Sequence, residues 1–493
     1  MNTFIENVLQ DLKNKDFTFS ELIFILPSKR AGVFLKSRLQ NYISETGFAP
    51  EIVSIEDFVQ DLAQLRQISG VELLFEFYSS YKKIIPHNRI ESFDTFSKWA
   101  QILVQDFNEI DRYLIPTQQI FDYLGAIQEL NHWSLENQKT ELVTNYLNFW
   151  KSLKSYYNKF TNDLISKETG YQGLIYKEAT EHVESYIQNT KHTHIFLGFN
   201  ALNSAEELII QELLQNNKAN IYWDTDFHFM DNKNHTTSLF TRQYQQKWPF
   251  YKTNSFDWIT STYSTKKNIN IIGCPKSIGQ SKYVGNLLKK LSLENNSLNS
   301  TAIVLGDEQL LTPVLNALPA VIGAVNVTMG LPLKYIPIAS LFEQLFTIHK
   351  IKIERFYYKD VIAILSHQMI QCIFESSENI TKTIQKNNIS YLSIDNILKL
   401  SKESDKDIIQ LLFGDWQISI GQNINNCIKL IHLVKDGFEN VKAEKRLELE
   451  YLYRFNTLFN EIASLNRKFG FITDASVLFS VYKELLSGET LDF

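Results

Sequence analysis

Cysteine, proline and glycine are all scarce in this 493-residue chain. Three cysteines, Cys274, Cys372 and Cys427, stand far apart without the spacing of a zinc or disulfide framework. They fit a reducing cytoplasm, where cysteine serves as a small buried apolar residue. Ten prolines and 18 glycines are below average usage and point to long helices with few tight turns. None of those glycines precedes a lysine, which excludes the G-x-x-x-x-G-K-[ST] loop that cradles nucleotide phosphates. No run approaches the ~18 apolar residues of a membrane span. The opening MNTFIENVLQDLKNK scatters acids and lysines among its apolar positions, unlike a signal peptide. A net charge of -6 excludes a surface coated in basic residues, so any contact with DNA must be local.

What is present is an ordinary globular composition, 44% apolar and 21% charged, over a length that suits about three domains. The most informative stretch is LIFILPSKRAGVFLKSRLQNYI, from Leu22 to Ile43. Five apolar residues predict a buried strand, Pro27 stops it, and Ser28, Lys29 and Arg30 lead into an amphipathic helix. Free N–H groups and the dipole at a helix start favour anions, so phosphate contact is one use of this turn. An exposed basic turn that merely caps its helix is the other.

The chain alternates α/β and all-helical blocks. A first α/β lobe is expected over 1–70, with strands at 22–26 and 51–54 and with Ser54 capping the next helix. A helical insertion follows at 71–190, and the lobe returns at 191–265 with strands HIFLGF and NIYWD. The second α/β lobe is expected at 266–345, with strands at 268–273, 301–305 and 325–329. Residues 346–493 read as a second helical insertion, ending on LDF as a strand just starts. CPKSIGQSKYVGNLL repeats the strand, proline, Ser/Lys turn and basic helix of the first lobe, which makes Lys276 and Ser277 the counterparts of the first turn.

Other candidates read as structure. Asp307–Glu308 suits a helix start rather than a Mg²⁺ site, since no triphosphate loop exists for that metal to serve. Asp11-x-Lys13 and Asp231-x-Lys233 match half of a nuclease motif but lack the paired strands that would converge two carboxylates. Asp106, Glu109 and Asp111 are expected on a solvated or inter-lobe helix face. The aromatics crowding 227–263 are expected to pack at a junction more than to stack on bases. No catalytic, cofactor-binding or metal-ligating residue is assigned.

FILPSKRAGVFLKSRL, SIEDF, QDFNEIDRYL, IFLGFNALNSAEE, IGQSKYVGNLL, AIVLGDEQLLTPVLNALP and NVTMGLPLKYIP together resemble the N-terminal half of AddB-type proteins of the Bacteroidetes, a PD-(D/E)XK nuclease family. The resemblance implies an inactivated helicase core: two P-loop-NTPase-like (RecA-like) parallel-sheet lobes, each with a large helical insertion, the second lobe incomplete. It also implies that the family's C-terminal nuclease domain, for which Mg²⁺ is expected, lies beyond this sequence. The function implied is a non-catalytic scaffold in DNA double-strand break repair, binding DNA backbone through Ser28, Lys29, Arg30, Lys276 and Ser277, alongside an AddA-type helicase-nuclease subunit. A helical protein-interaction scaffold without nucleic acid is the alternative.

Overall fold

The computed structural model describes residues 3–43, 47–131, 141–294, 297–350, 354–416, 418–438 and 446–491. The chain divides into two units, Met1–Lys267 and Asn268–Phe493.

The first unit is built on a four-stranded parallel sheet. Its strands are β1 (Leu22–Leu26), β2 (Glu51–Ser54), β3 (Thr193–Leu197) and β4 (Ala219–Tyr222), in the order β2-β1-β3-β4. Ile25 lies opposite both Val53 and Phe196, which places β1 at the centre. All five β1 side chains are buried, as an unbroken apolar run requires when both faces are covered. Each contributes roughly 1.5–3 kcal/mol of burial. Leu22, Phe24 and Leu26 share one core with helices α1 (Phe4–Asn14) and α2 (Lys29–Leu39), while Ile23 and Ile25 face α3 (Ile55–Ala63) and helices that return later in the chain.

Between β2 and β3 the chain makes its helical excursion: α3, α4 (Gly70–Ile84), α5 (Phe93–Arg112), α6 (Thr117–Asn131), α7 (Glu141–Ile165) and α8 (Gln172–Asn189). Phe75, Phe77, Phe96, Phe107 and Phe160 form its fully buried interior. Asp111 does not lie on a solvated face, as its sequence setting suggested. It is buried, and accepts hydrogen bonds from the hydroxyls of Tyr157 and Tyr171 at 2.5 Å each, with Lys177 Nζ at 3.3 Å. Burial, then the Asp111 charge, pushes both phenols up. The helices α5 and α8 touch so closely at Gly173 that a Cβ there would stand 2.1 Å from the Asn108 carbonyl oxygen. After β3 come α9 (Ser204–Gln215) and β4. Trp223, Tyr244 and Trp248 then fill a buried aromatic cluster with Tyr251 and Phe256 packed against it, so most of the aromatic crowd is core.

The second unit is mainly helical. Phe342, Phe346, Phe455, Phe459 and Tyr482 are the centre of a bundle formed by helices Pro337–His349, Arg446–Phe469 and Ala475–Gly488. Helices Ser277–Leu293 and Leu311–Ala317 also form. The three strands expected at 268–273, 301–305 and 325–329 do not. Among the described residues these segments carry no ladder, and Ile271 is 95% and Val304 89% exposed. Their apolar content is that of a covered sheet, but no neighbouring strand satisfies their backbone. Thr490–Leu491 pairs antiparallel with Leu331–Pro332, and the rest of the expected final strand lies outside the described residues. The helical insertion expected at 346–493 likewise includes positions outside them.

Candidate nucleic-acid interface

The order β2-β1-β3-β4 makes the carboxyl ends of β1 and β3 a switch point, where the connections leave toward opposite sides and open a crevice. Pro27, Ser28, Lys29 and Arg30 follow β1 at that edge. Gly198 follows β3 there with φ +77°, a left-handed conformation that glycine adopts without strain, and its N–H donates to the Tyr222 carbonyl at 3.1 Å.

Ser28 is the N-cap of α2, its hydroxyl accepting from the Ala31 N–H at 3.3 Å. The backbone donors of the turn are thus partly spent on the cap. Lys29 is exposed but engaged: Nζ lies 2.9 Å from Asp57 Oδ1 at the start of α3. The Ser54 hydroxyl donates to the other Asp57 oxygen at 2.8 Å and accepts from the Asp57 N–H at 3.2 Å. Burial pushes the Asp57 carboxyl up, but the hydrogen bonds from Lys29 and Ser54 outweigh it and hold that carboxyl below the usual range. The hydrogen bond to Asp57 raises Lys29 in turn. These contacts run from the turn after β1 to the residues that follow β2.

Arg30 differs from its neighbour. It is exposed, and its side chain has no ion pair or hydrogen bond among the described residues. One turn further along α2, Val33 and Phe34 are exposed as well. A guanidinium with an apolar helix face beside it was not singled out from sequence, though its i, i+3 and i, i+4 spacing is legible there.

Lys276 and Ser277, the counterparts in the second unit, are exposed at the start of helix Ser277–Leu293, and neither has an ion pair among the described residues. Lys276 stands at the N-cap position, where it makes no side-chain cap bond. Asp307 caps the short turn at Glu308 by accepting from the Gln309 N–H at 3.0 Å.

Two further acid groups are also in structural use. Asp11 accepts from the Tyr222 hydroxyl at 2.9 Å and pairs with Lys15 at 2.7 Å. A recess of 570 Å³ is lined by Asp226 and Asp231, and its Asp226 carboxylate is spent on the N–H groups of His228 and Tyr263 and on the Thr260 hydroxyl. Among the described residues no group of His, Cys, Asp and Glu converges in a way that could hold a metal. No helix there is long and apolar enough to cross a membrane.

His194, on β3, has two side-chain hydrogen-bond partners. Its Nδ1 lies 2.9 Å from the Lys218 carbonyl and must donate to it, so Nε2 accepts from the Tyr186 hydroxyl at 2.7 Å. Burial holds the ring neutral by lowering its pKa.

No family model matches the chain, and no curated protein matches it.

Proposed function

We propose that this chain is the helicase-like scaffold portion of an AddB-type DNA-repair protein, with two RecA-like lobes, and that it grips DNA backbone beside an AddA-type motor subunit without ATPase or nuclease activity of its own. The reading rests on the resemblance of its ordered sequence strings. The observation that carries it is the exposed Ser28–Arg30 turn at the switch point of a parallel sheet, with Arg30 left uncommitted. A phosphate there would meet a guanidinium and the start of a helix, which supplies position without base readout. Lys276 and Ser277 would give the second unit a backbone contact of its own.

The test is fluorescence anisotropy of a labelled oligothymidine titrated with the full chain at several salt concentrations. Affinity should fall steeply with salt, because phosphate contacts release counterions. Arg30→Ala should flatten the salt slope by about one unit. Lys29→Ala should do less, since that ammonium is shared with Asp57. Should the Lys29→Ala, Arg30→Ala double variant bind like wild type, the turn is a helix cap. The interaction-scaffold reading then takes over, and the exposed apolar segments of the second unit are the observation in its favour.

A further inference from the structure

Beside the outer strand of the first unit's sheet lies a recess of 380 Å³ that no contact of the fold fills. Val53, Phe58 and Leu62 line it with apolar surface, and Glu51 and Asp61 line it with carboxylates. Neither carboxylate has an ion pair among the described residues, although the protein pairs many of its other acids. Tyr186 also lines the recess; burial first, then the charges of Glu51 and Asp61, push its phenol up against the lowering effect of a Thr190 hydrogen bond.

The recess runs from Glu51 and Val53 on β2 across Ile23 on β1 to Thr190 and His192 ahead of β3, and β2 is an edge strand. Among the described residues β2 pairs with β1 alone, so the other side of its backbone has no ladder partner. Edge strands left open are templates for another extended chain. Glu51 and Val53 alternate along β2 and line the recess together, so a chain laid against this edge would present alternate side chains to it.

We propose that this edge binds an extended polypeptide by strand addition to β2, with a lysine or arginine side chain of that polypeptide entering the recess between Glu51 and Asp61. The aliphatic stem of such a side chain packs on Val53, Phe58 and Leu62 while its cationic head reaches the two carboxylates. Main-chain bonding gives affinity, and the pocket gives specificity for a basic residue. Two groups of opposing charge type stand by the recess: His192 lines it, its Nδ1 3.3 Å from the Glu21 carbonyl, and Lys218 Nζ donates to the carbonyl of Thr190, another lining residue, at 2.9 Å. This inference is independent of DNA binding and stands or falls on its own measurement.

Isothermal titration at pH 8 with the full chain tests it. The probe is an acetylated, amidated Thr-Val-Arg-Val-Thr peptide. It should bind at least about tenfold more tightly than the same peptide with central Glu. Glu51→Gln with Asp61→Asn, both surface changes, should remove that preference. N-methylation of the peptide backbone at the valines should weaken binding about tenfold by removing ladder donors. Equal binding of the Arg and Glu peptides overturns the proposal, as does an unchanged preference in the double variant. Agmatine binding as tightly as the peptide, or indifference to N-methylation, overturns the strand-addition part and leaves a small-cation site.

Discussion

The two units share a sequence pattern and differ in what they make of it. In the first, an apolar run, a proline, a Ser/Lys turn and a basic helix become the central strand of a sheet, with β2 on one side and β3 on the other. In the second, the same pattern yields the helix Ser277–Leu293 but leaves the run at 268–273 extended and exposed. Hydrophobicity alone therefore does not make a strand. β1 is a strand because Ile52, Val53, Ile195 and Phe196 supply ladder partners in register and helices cover both faces. The segments 268–273, 301–305 and 325–329 have no such ladder among the described residues.

The sharpest way to break that comparison is hydrogen exchange. Amides of Ile23 to Leu26 should exchange at least about a thousandfold more slowly than those of Ile269 to Ile272, because ladder bonds open only with their unit and unpaired backbone exchanges freely. Equal protection would show that the second unit forms its sheet after all.

Next in size is the Asp111 network, which holds the first unit alone. Asp111→Ala removes the acceptor of two buried hydroxyls and leaves Lys177 bonded to the Tyr157 hydroxyl alone, and should cost about 3 kcal/mol in urea unfolding. A transition assigned to the second unit should not move.

The second unit has its own weak point at acid pH. His349 stacks on Trp416 with centroids 4.6 Å apart, and its Nε2 donates to the Leu412 carbonyl at 2.8 Å. Burial lowers this ring from its ordinary 6.5 to about 4, against the pull of the carbonyl. The unfolded chain therefore binds the proton first on acidification. Stability is intact above pH 6.5 and falls by about 3 kcal/mol as pH approaches 4. Unfolding midpoints followed from pH 7 to 4 should show this loss in the second unit, and a flat profile would mean that the ring is solvated.

Last comes a near-null. Lys29→Ala should leave the melting temperature of the first unit unchanged within error, since exposed ion pairs contribute little. A large drop would make the Lys29–Asp57 contact a structural tie rather than a shared surface charge.

Much of the first unit was legible from sequence because its signals are local. The strand at Leu22–Leu26 and the Ser54 cap depend on neighbouring residues, and each appears where the pattern puts it. Asp111 was not legible, because its partners Tyr157, Tyr171 and Lys177 are 46, 60 and 66 residues away. The same holds for His194, whose environment is set by the next strand's carbonyl and by α8. At the basic turn, sequence marked three residues alike, whereas packing divides them: Ser28 caps, Lys29 is shared with an acid across the strand ends, and Arg30 alone is uncommitted. Unpaired strands in the second unit mark the opposite limit. Local pattern names a strand, but only distant residues can make it one.

The helical excursion has a consequence for how the first unit could be rebuilt. Arg66–Gln67 and Thr169–Gly170 run side by side as a short parallel pair, fixed by the Arg66 N–H donating to the Glu168 carbonyl at 2.9 Å and the Ile68 N–H to the Gly170 carbonyl at 3.0 Å. The place where the excursion departs is thus also the place where it returns, like a spliced loop with a clasp at its neck. Lengthening or exchanging what lies between 68 and 168 need not pull on the sheet, because α3 and α8 pack directly on each other through Phe58, Val59 and Leu62 against Ile175, Ala179 and Val183, with the clasp beside them. The limit on such grafts is set by α8, whose Gly173 side must still be met by something as narrow as the Asn108 backbone.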